Sequence, residues 1–288
     1  MPDKKPLGLV VGETADLPKV FILKNSIEVV EFDVNFPQDS SHRNPRKNFY
    51  ARMRQCEIPK TSQPTVGAYR RAFRAALDKS DQIFVVVMSG KLSGALQSAQ
   101  QAKRKMPEEQ QENIYIIDSR LASAAEGLVC WKAQQMIDAG KNPSQIIESL
   151  DRWKDRIGSL GLLESAKWLE IGGRISHADA VKAEIAKKIG VRAAITLKHG
   201  KVEGVGKKGI RFSPRGPIAS LLGEIKRAKQ EIGPNIEIAV THADVPKKRL
   251  QKLIIGMADM DIEPLFVSEI TPVIGTYGGP GTILIAWM

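Results

Sequence analysis

Apolar positions in the first half of the chain form short β-branched runs separated by longer amphipathic stretches. Leu7-Gly8-Leu9-Val10-Val11 reads as a strand, and Ile27 to Val34 alternates before a polar loop between Pro37 and Pro45. Val66 to Lys79 repeats with helical period behind Gln63-Pro64, with Pro64 suited to a first-turn position. Ile83-Phe84-Val85-Val86-Val87-Met88 is apolar throughout, the pattern of a strand covered on both faces. Ala95 to Lys103 is strong helix material with a basic end. Ile114 to Ile117 is a further strand, and a helix follows from about Leu121 to Ala139, stopped by Gly140. Strands alternating with helices predict a mostly parallel sheet with helices on both faces.

The second half changes character. Asn142 to Arg156 has helical period, and after Gly158-Ser159-Leu160-Gly161 a new pattern starts with Leu162 to Leu169. Alternating segments at Ala193–Leu197, Lys201–Val205, Ile236–Val240 and Pro264–Val267 are interleaved with helices. Leu250, Leu253, Ile254 and Met257 form a single apolar stripe at i, i+3, i+4, i+7. Thr282 to Trp287 reads as a strand that closes a sheet. The junction falls near residue 158, giving domains 1–158 and 159–288.

Composition narrows the class. A chain of 288 residues with 42% hydrophobic and 26% charged residues is a globular protein with room for two domains. No run approaches the roughly 18 apolar residues that span a bilayer, and Met1-Pro2-Asp3-Lys4-Lys5 has no secretory pattern. Cys56 and Cys130 have no metal or redox spacing and read as small core residues in a reducing cytoplasm. The net charge of +11 is dispersed over Lys4-Lys5, Arg70-Arg71, Lys187-Lys188, Lys207-Lys208 and Lys247-Lys248-Arg249. With 6% aromatic residues and no aromatic–basic interleaving, these pairs read as solvated helix faces and not as a nucleic-acid surface. An anionic membrane or acidic partner is the other use for such charge.

Chemistry concentrates in Ser89-Gly90-Lys91-Leu92-Ser93-Gly94, between the Ile83 strand and its helix. A strand ending in a Gly/Ser turn that opens a helix presents backbone N–H groups and hydroxyls at a positive dipole end, where anions bind. Asp118-Ser119 ends the next strand and reads as an Asx turn and helix start. Enzyme motifs are missing: there is no G-x-S-x-G elbow, no Walker A and no G-x-G-x-x-G after a strand. His42, His177, His199 and His242 show no metal spacing, and His177 with Asp179 reads as a surface pair at a helix start. Neither a metal nor a cofactor is expected.

Six segments in order resemble the DegV family of bacterial fatty-acid-binding proteins. They are Thr14-Ala15-Asp16-Leu17-Pro18, Pro59-Lys60-Thr61-Ser62-Gln63-Pro64, Met88 to Gly94 with Gln97-Ser98-Ala99, Asp118-Ser119, Gly172-Gly173-Arg174-Ile175-Ser176, and Gly275-Thr276-Tyr277-Gly278-Gly279-Pro280-Gly281. The resemblance implies a two-domain α/β fold, with a mostly parallel N-terminal sheet and a largely antiparallel C-terminal one. It implies a cytoplasmic, non-catalytic carrier for one long-chain fatty acid, its carboxylate at the domain interface and its tail in the C-terminal domain. A separate fatty acid kinase would take the acid for lipid synthesis. The carboxylate ligands so implied are Thr61, Ser62, Ser93, Gly94, Arg174 and Tyr277. Taken residue by residue, Thr61, Ser62 and Ser93 also read as helix caps, and Arg174 as an anchor under a Gly turn. Three departures stand out. The family's Asp-Ser pair after the first strand is Gly12-Glu13 here, its histidine before the terminal GPG is Tyr277, and a Thr in the loop is Ala95. The competing class is an enzyme, a hydrolase or phosphotransferase, acting on a small anion in the same cleft.

Overall fold

The computed structural model describes residues 5–39, 44–188, 193–204 and 216–288. Lys4, His42, Val205, Lys207 and Lys208, named above, lie outside them. In chain order the first elements are β1 (Lys5–Gly12), a short 3-10 turn (Glu13–Ala15), α1 (Lys19–Asn25), β2 (Glu28–Val30), β3 (Asp33–Asn35), α2 (Phe49–Arg54) and β4 (Lys60–Ser62). Next come α3 (Val66–Leu77), β5 (Ser80–Val87), α4 (Ala95–Arg104), α5 (Glu108–Gln111), β6 (Ile114–Asp118), α6 (Ala124–Asp138) and α7 (Pro143–Lys154). The remainder is β7 (Gly158–Leu162), α8 (Lys167–Ile171), α9 (His177–Lys188), β8 (Ala194–Lys198), β9 (Lys201–Gly204), α10 (Pro217–Ile232), β10 (Ile238–His242), α11 (Lys247–Ala258), β11 (Phe266–Glu269), α12 (Pro272–Gly278) and β12 (Ile283–Trp287). None of the described helices is long and apolar enough to cross a membrane.

The chain divides into two compact units. Unit 1 comprises Met1–Asp33, Thr61–Arg156 and His199–Lys201; unit 2 comprises Val34–Lys60, Ile157–Lys198 and Val202–Met288. The stretch Val34–Lys60 therefore sits with unit 2, although a single cut near 158 assigns it to the first domain.

Unit 1 is built on a parallel sheet of order β2-β1-β5-β6. Ile83 to Val87 are all buried, as an apolar strand between helix layers must be. Helix α3 turns Tyr69, Ala72, Phe73, Ala76 and Leu77 inward, and α4 turns Ala95, Ala99 and Ala102. The alternation at Ile27–Val34 is not one strand. It breaks at Phe32, whose N–H donates to buried Glu13 (2.5 Å), and resumes as β3.

Unit 2 carries a mixed, largely antiparallel sheet of order β11-β10-β12-β7-β8-β9. Only β10 and β11 are parallel among the pairings described; β12 runs antiparallel to both β10 and β7, and β7 to β8. The last strand is thus an interior strand, not one that closes an edge. Leu221 and Ile225 of α10 and Leu253 and Met257 of α11 share one core with Ile238, Val240, Ile283 and Ile285. Leu250 and Ile254 are partly buried against that core, so the stripe on α11 is core packing.

Candidate functional site

Unit 1 places Ser89 to Gly94 and Asp118 where β5 and β6 end. The register places Val87 beside Asp118, so both strand ends open onto the same rim. Asp118 Oδ1 accepts the N–H groups of Gly90 (3.2 Å) and Arg120 (2.9 Å), making the expected Asx turn and holding the glycine loop. The helix itself begins later, at Ala124. Ser89 is fully buried; its hydroxyl donates to Gly200 O (2.7 Å), and Lys91 Nζ donates to His199 O (2.9 Å). The Ser89 hydroxyl is therefore committed to structure.

Ser93 and Gly94 lead into α4, with Gly94 at the N-cap and no acidic residue in the first turn. Ser93 Oγ accepts from Ala95 N (3.2 Å), a contact that does not use its hydroxyl proton. Thr61 and Ser62 end β4, Thr61 half-buried and Ser62 exposed. They do not cap α3: Thr65 does, accepting from Ala68 N (3.1 Å), and Pro64 stands before that cap. Gln63 joins the two segments. Its Nε2 donates to Ser98 Oγ (3.0 Å), and its side chain fills the space where a Cβ on Gly94 would sit. A side chain at 94 would displace the end of Gln63. Sequence reasoning missed this clasp, whose only signal is the glutamine of Thr61-Ser62-Gln63-Pro64.

At the Gly12-Glu13 departure, Glu13 is itself buried and accepts the Phe32 N–H. A Cβ on Gly12 would crowd the Thr14 hydroxyl (2.8 Å), which donates to Glu126 Oε1 (3.1 Å). Glu126 is fully buried, and that burial pushes its carboxyl well above the ordinary value of 4.5. A buried carboxyl thus stands beside the end of β1, where burial favours its protonated form.

Unit 2 carries Arg174 and Tyr277. Helix α8 ends in a Schellman turn: Gly173 is left-handed (φ 70°), Gly173 N donates to Glu170 O (2.8 Å), and Arg174 N to Leu169 O (2.8 Å). Arg174 Nη1 donates to Gly172 O (2.5 Å), and its guanidinium carbon lies 4.2 Å from the centroid of the Tyr277 ring. Tyr277 is half-buried on α12. The glycines of its motif admit side chains: Gly275 faces the Tyr50 hydroxyl, Gly279 the Trp168 ring and Gly281 Glu164. Of the six expected site residues, Thr61, Ser62, Ser93 and Gly94 fall in unit 1, and Arg174 and Tyr277 in unit 2.

Other candidates fall away or move. Cys130 is buried as expected, but Cys56 is exposed, with Lys167 Nζ 3.9 Å from its sulfur. His177 pairs with Glu170 on the surface, and among the described residues no group of three or more His, Cys, Asp or Glu could hold a metal ion.

The family profile described as "Uncharacterised protein, DegV family" matches residues 6–288. A curated relative named fatty acid-binding protein, from Thermotoga maritima, is 25% identical over 284 residues, covering 96% of this chain and 95% of that one. A DegV family structure from Thermus thermophilus, titled for its fatty acid binding, superposes with a TM-score of 0.81 at 23% identity, covering 98% and 99% of the two chains. A stearic acid-binding protein from Eubacterium ventriosum gives 0.83 at 23% identity, covering 99% and 98%. A DegV family protein from Eubacterium eligens loaded with heptadecanoic acid gives 0.80 at 20% identity, covering 97% and 98%. At those identities the structures share the fold, whereas the family match takes in both units from the first strand to the last residue; this chain belongs to the DegV family.

Proposed function

We propose that this chain is a non-catalytic carrier for one long-chain fatty acid. The observation that carries the reading is the full-length kinship with proteins named or solved as fatty-acid binders, in both units and end to end. In this reading Thr61, Ser62, Ser93 and Gly94 receive the carboxylate at the start of α4, and Arg174 with Tyr277 serves the same head group. An ionised head matches hydroxyl donors at a helix N-terminus and a guanidinium. The tail lies in the C-terminal domain. Burying about 16 carbons at roughly 0.8 kcal/mol each supplies on the order of 10 kcal/mol before the costs of association, enough for the acid to survive purification. The protein works in the cytoplasm without a cofactor, collects the acid at an anionic membrane through its excess of basic residues, and hands it to a fatty acid kinase.

Mass spectrometry of the organic extract of freshly purified protein tests the reading. A stoichiometric fatty acid is expected, and Thr61→Ala combined with Ser93→Ala should weaken oleate binding about 100-fold, the loss of two charge-assisted hydrogen bonds. Protein that is empty and also refuses oleate and palmitate would overturn it and bring the small-anion enzyme forward.

A further inference from the structure

The Tyr277 hydroxyl is one candidate donor to a carboxylate, but the surroundings of the residue are organised about its ring. The Arg174 guanidinium lies over the ring face, 4.2 Å from the centroid. The opposite constraint comes from Gly172: a Cβ there would collide with the ring edge, so the ring rests on bare backbone. Gly172 also receives Arg174 Nη1 on its carbonyl (2.5 Å). One residue thus accommodates the ring and anchors the guanidinium that stacks on it.

Both partners are backed by rigid structure. Arg174 leaves the Schellman turn at a fixed angle, because Gly173 is left-handed and two turn hydrogen bonds hold it. Tyr277 projects from α12, which is seated by Tyr50: its hydroxyl donates to Ile270 O (2.6 Å) just before the helix and packs on Gly275. The Trp168 ring of α8 packs on Gly279 at the other end of α12. An arginine has three or four rotatable bonds to freeze before its planar fork can meet a carboxylate, so a ring that fixes its plane lowers the cost of binding.

We propose that Tyr277 is a positioning residue: its ring face sets the plane in which Arg174 offers its guanidinium to the fatty acid carboxylate, and Gly172 is glycine so that the ring can enter. The proposal rests on the carrier reading for the identity of the anion. It makes the aromatic face, and not the phenol oxygen, the part of Tyr277 that matters.

The test compares wild type with Tyr277→Phe and Tyr277→Leu, each checked for cooperative unfolding. Two readouts are taken: the NMR shift of the Arg174 side-chain protons in delipidated protein, and the dissociation constant for oleate. The ring current of Tyr277 should move the Arg174 resonances upfield in wild type and in Tyr277→Phe, and Tyr277→Leu should abolish that displacement. Oleate affinity should stay within about twofold in Tyr277→Phe and fall about tenfold in Tyr277→Leu, the size of a partly desolvated cation–π contact. In a protein that binds oleate, Tyr277→Phe weakening binding as much as Tyr277→Leu would overturn the proposal alone and assign the effect to the hydroxyl. Unchanged affinity in Tyr277→Leu would do the same. Wild type that binds no fatty acid would remove the carboxylate, and overturn the carrier reading with it.

Discussion

Glu126 shows what one buried ionisable group does to the molecule. It has no exposed surface, its Oε1 is served by Thr14, and Asp16 and Asp118 add repulsion to the burial that already disfavours its charge. Its native pKa is raised, so its favourable contribution is complete below the unfolded value of 4.5 and is lost as pH rises toward the native one. Over that window stability falls by about 1.4 kcal/mol per pH unit from this residue alone. Glu126→Gln keeps an oxygen for Thr14 and removes the proton linkage. The variant should match wild type near pH 4 and become progressively more stable above pH 5; parallel Tm curves for the two proteins between pH 4 and 8 would refute this. None of it was visible in the sequence, because a Glu in the first turn of a helix ordinarily reads as a solvated dipole partner.

At the scale of elements, pattern located the strands and helices and local chemistry set their ends. The apolar run at Ile83–Met88 and the stripe of α3 emerged as read, because burial on two faces or one leaves a clear period in sequence. The start of α3 at Val66 emerged too, but its cap did not: Thr61 and Ser62 read as caps and Pro64 as a first-turn residue, whereas the backbone geometry selects Thr65. Thr65→Ala should therefore cost about 1 kcal/mol in urea denaturation, since Ala68 N loses its acceptor. Helices α1 and α2 escaped the reading altogether. The described part of α1 buries no residue fully, and α2 lies in a stretch whose Arg52 and Arg54 mask the period of Phe49, Tyr50 and Met53.

At the scale of the whole molecule, the stretch Val34–Lys60 belongs to unit 2 while the residues before and after it belong to unit 1. Within it Arg52 is nearly inaccessible, 3% exposed, with both terminal nitrogens on Asp39 (2.7 Å each), Glu57 at 2.6 Å and the Phe36 ring 3.5 Å from its carbon. Arg52→Ala removes charge-assisted hydrogen bonds to two half-buried carboxylates and should cost about 1.5–3 kcal/mol. A loss below 1 kcal/mol on chemical denaturation would mean that the segment relaxes into water and that this clasp does not hold it.

The sequence by itself determined the α/β class, the parallel first sheet, the change of pattern near 158 and the segments that mark the family, because these depend on residue periods and on short motifs read along the chain. Only the tertiary structure decided that Thr65 and not Thr61 or Ser62 caps α3, that Gln63 lies on Gly94, that Glu126 is buried against Thr14 and that Tyr277 stacks on Arg174. Each of these is a contact between positions whose side chains carry several equally good local roles, such as cap, turn or surface charge. The choice among those roles is made by what the fold brings within about 4 Å, where close packing and burial act and where sequence separation has no bearing.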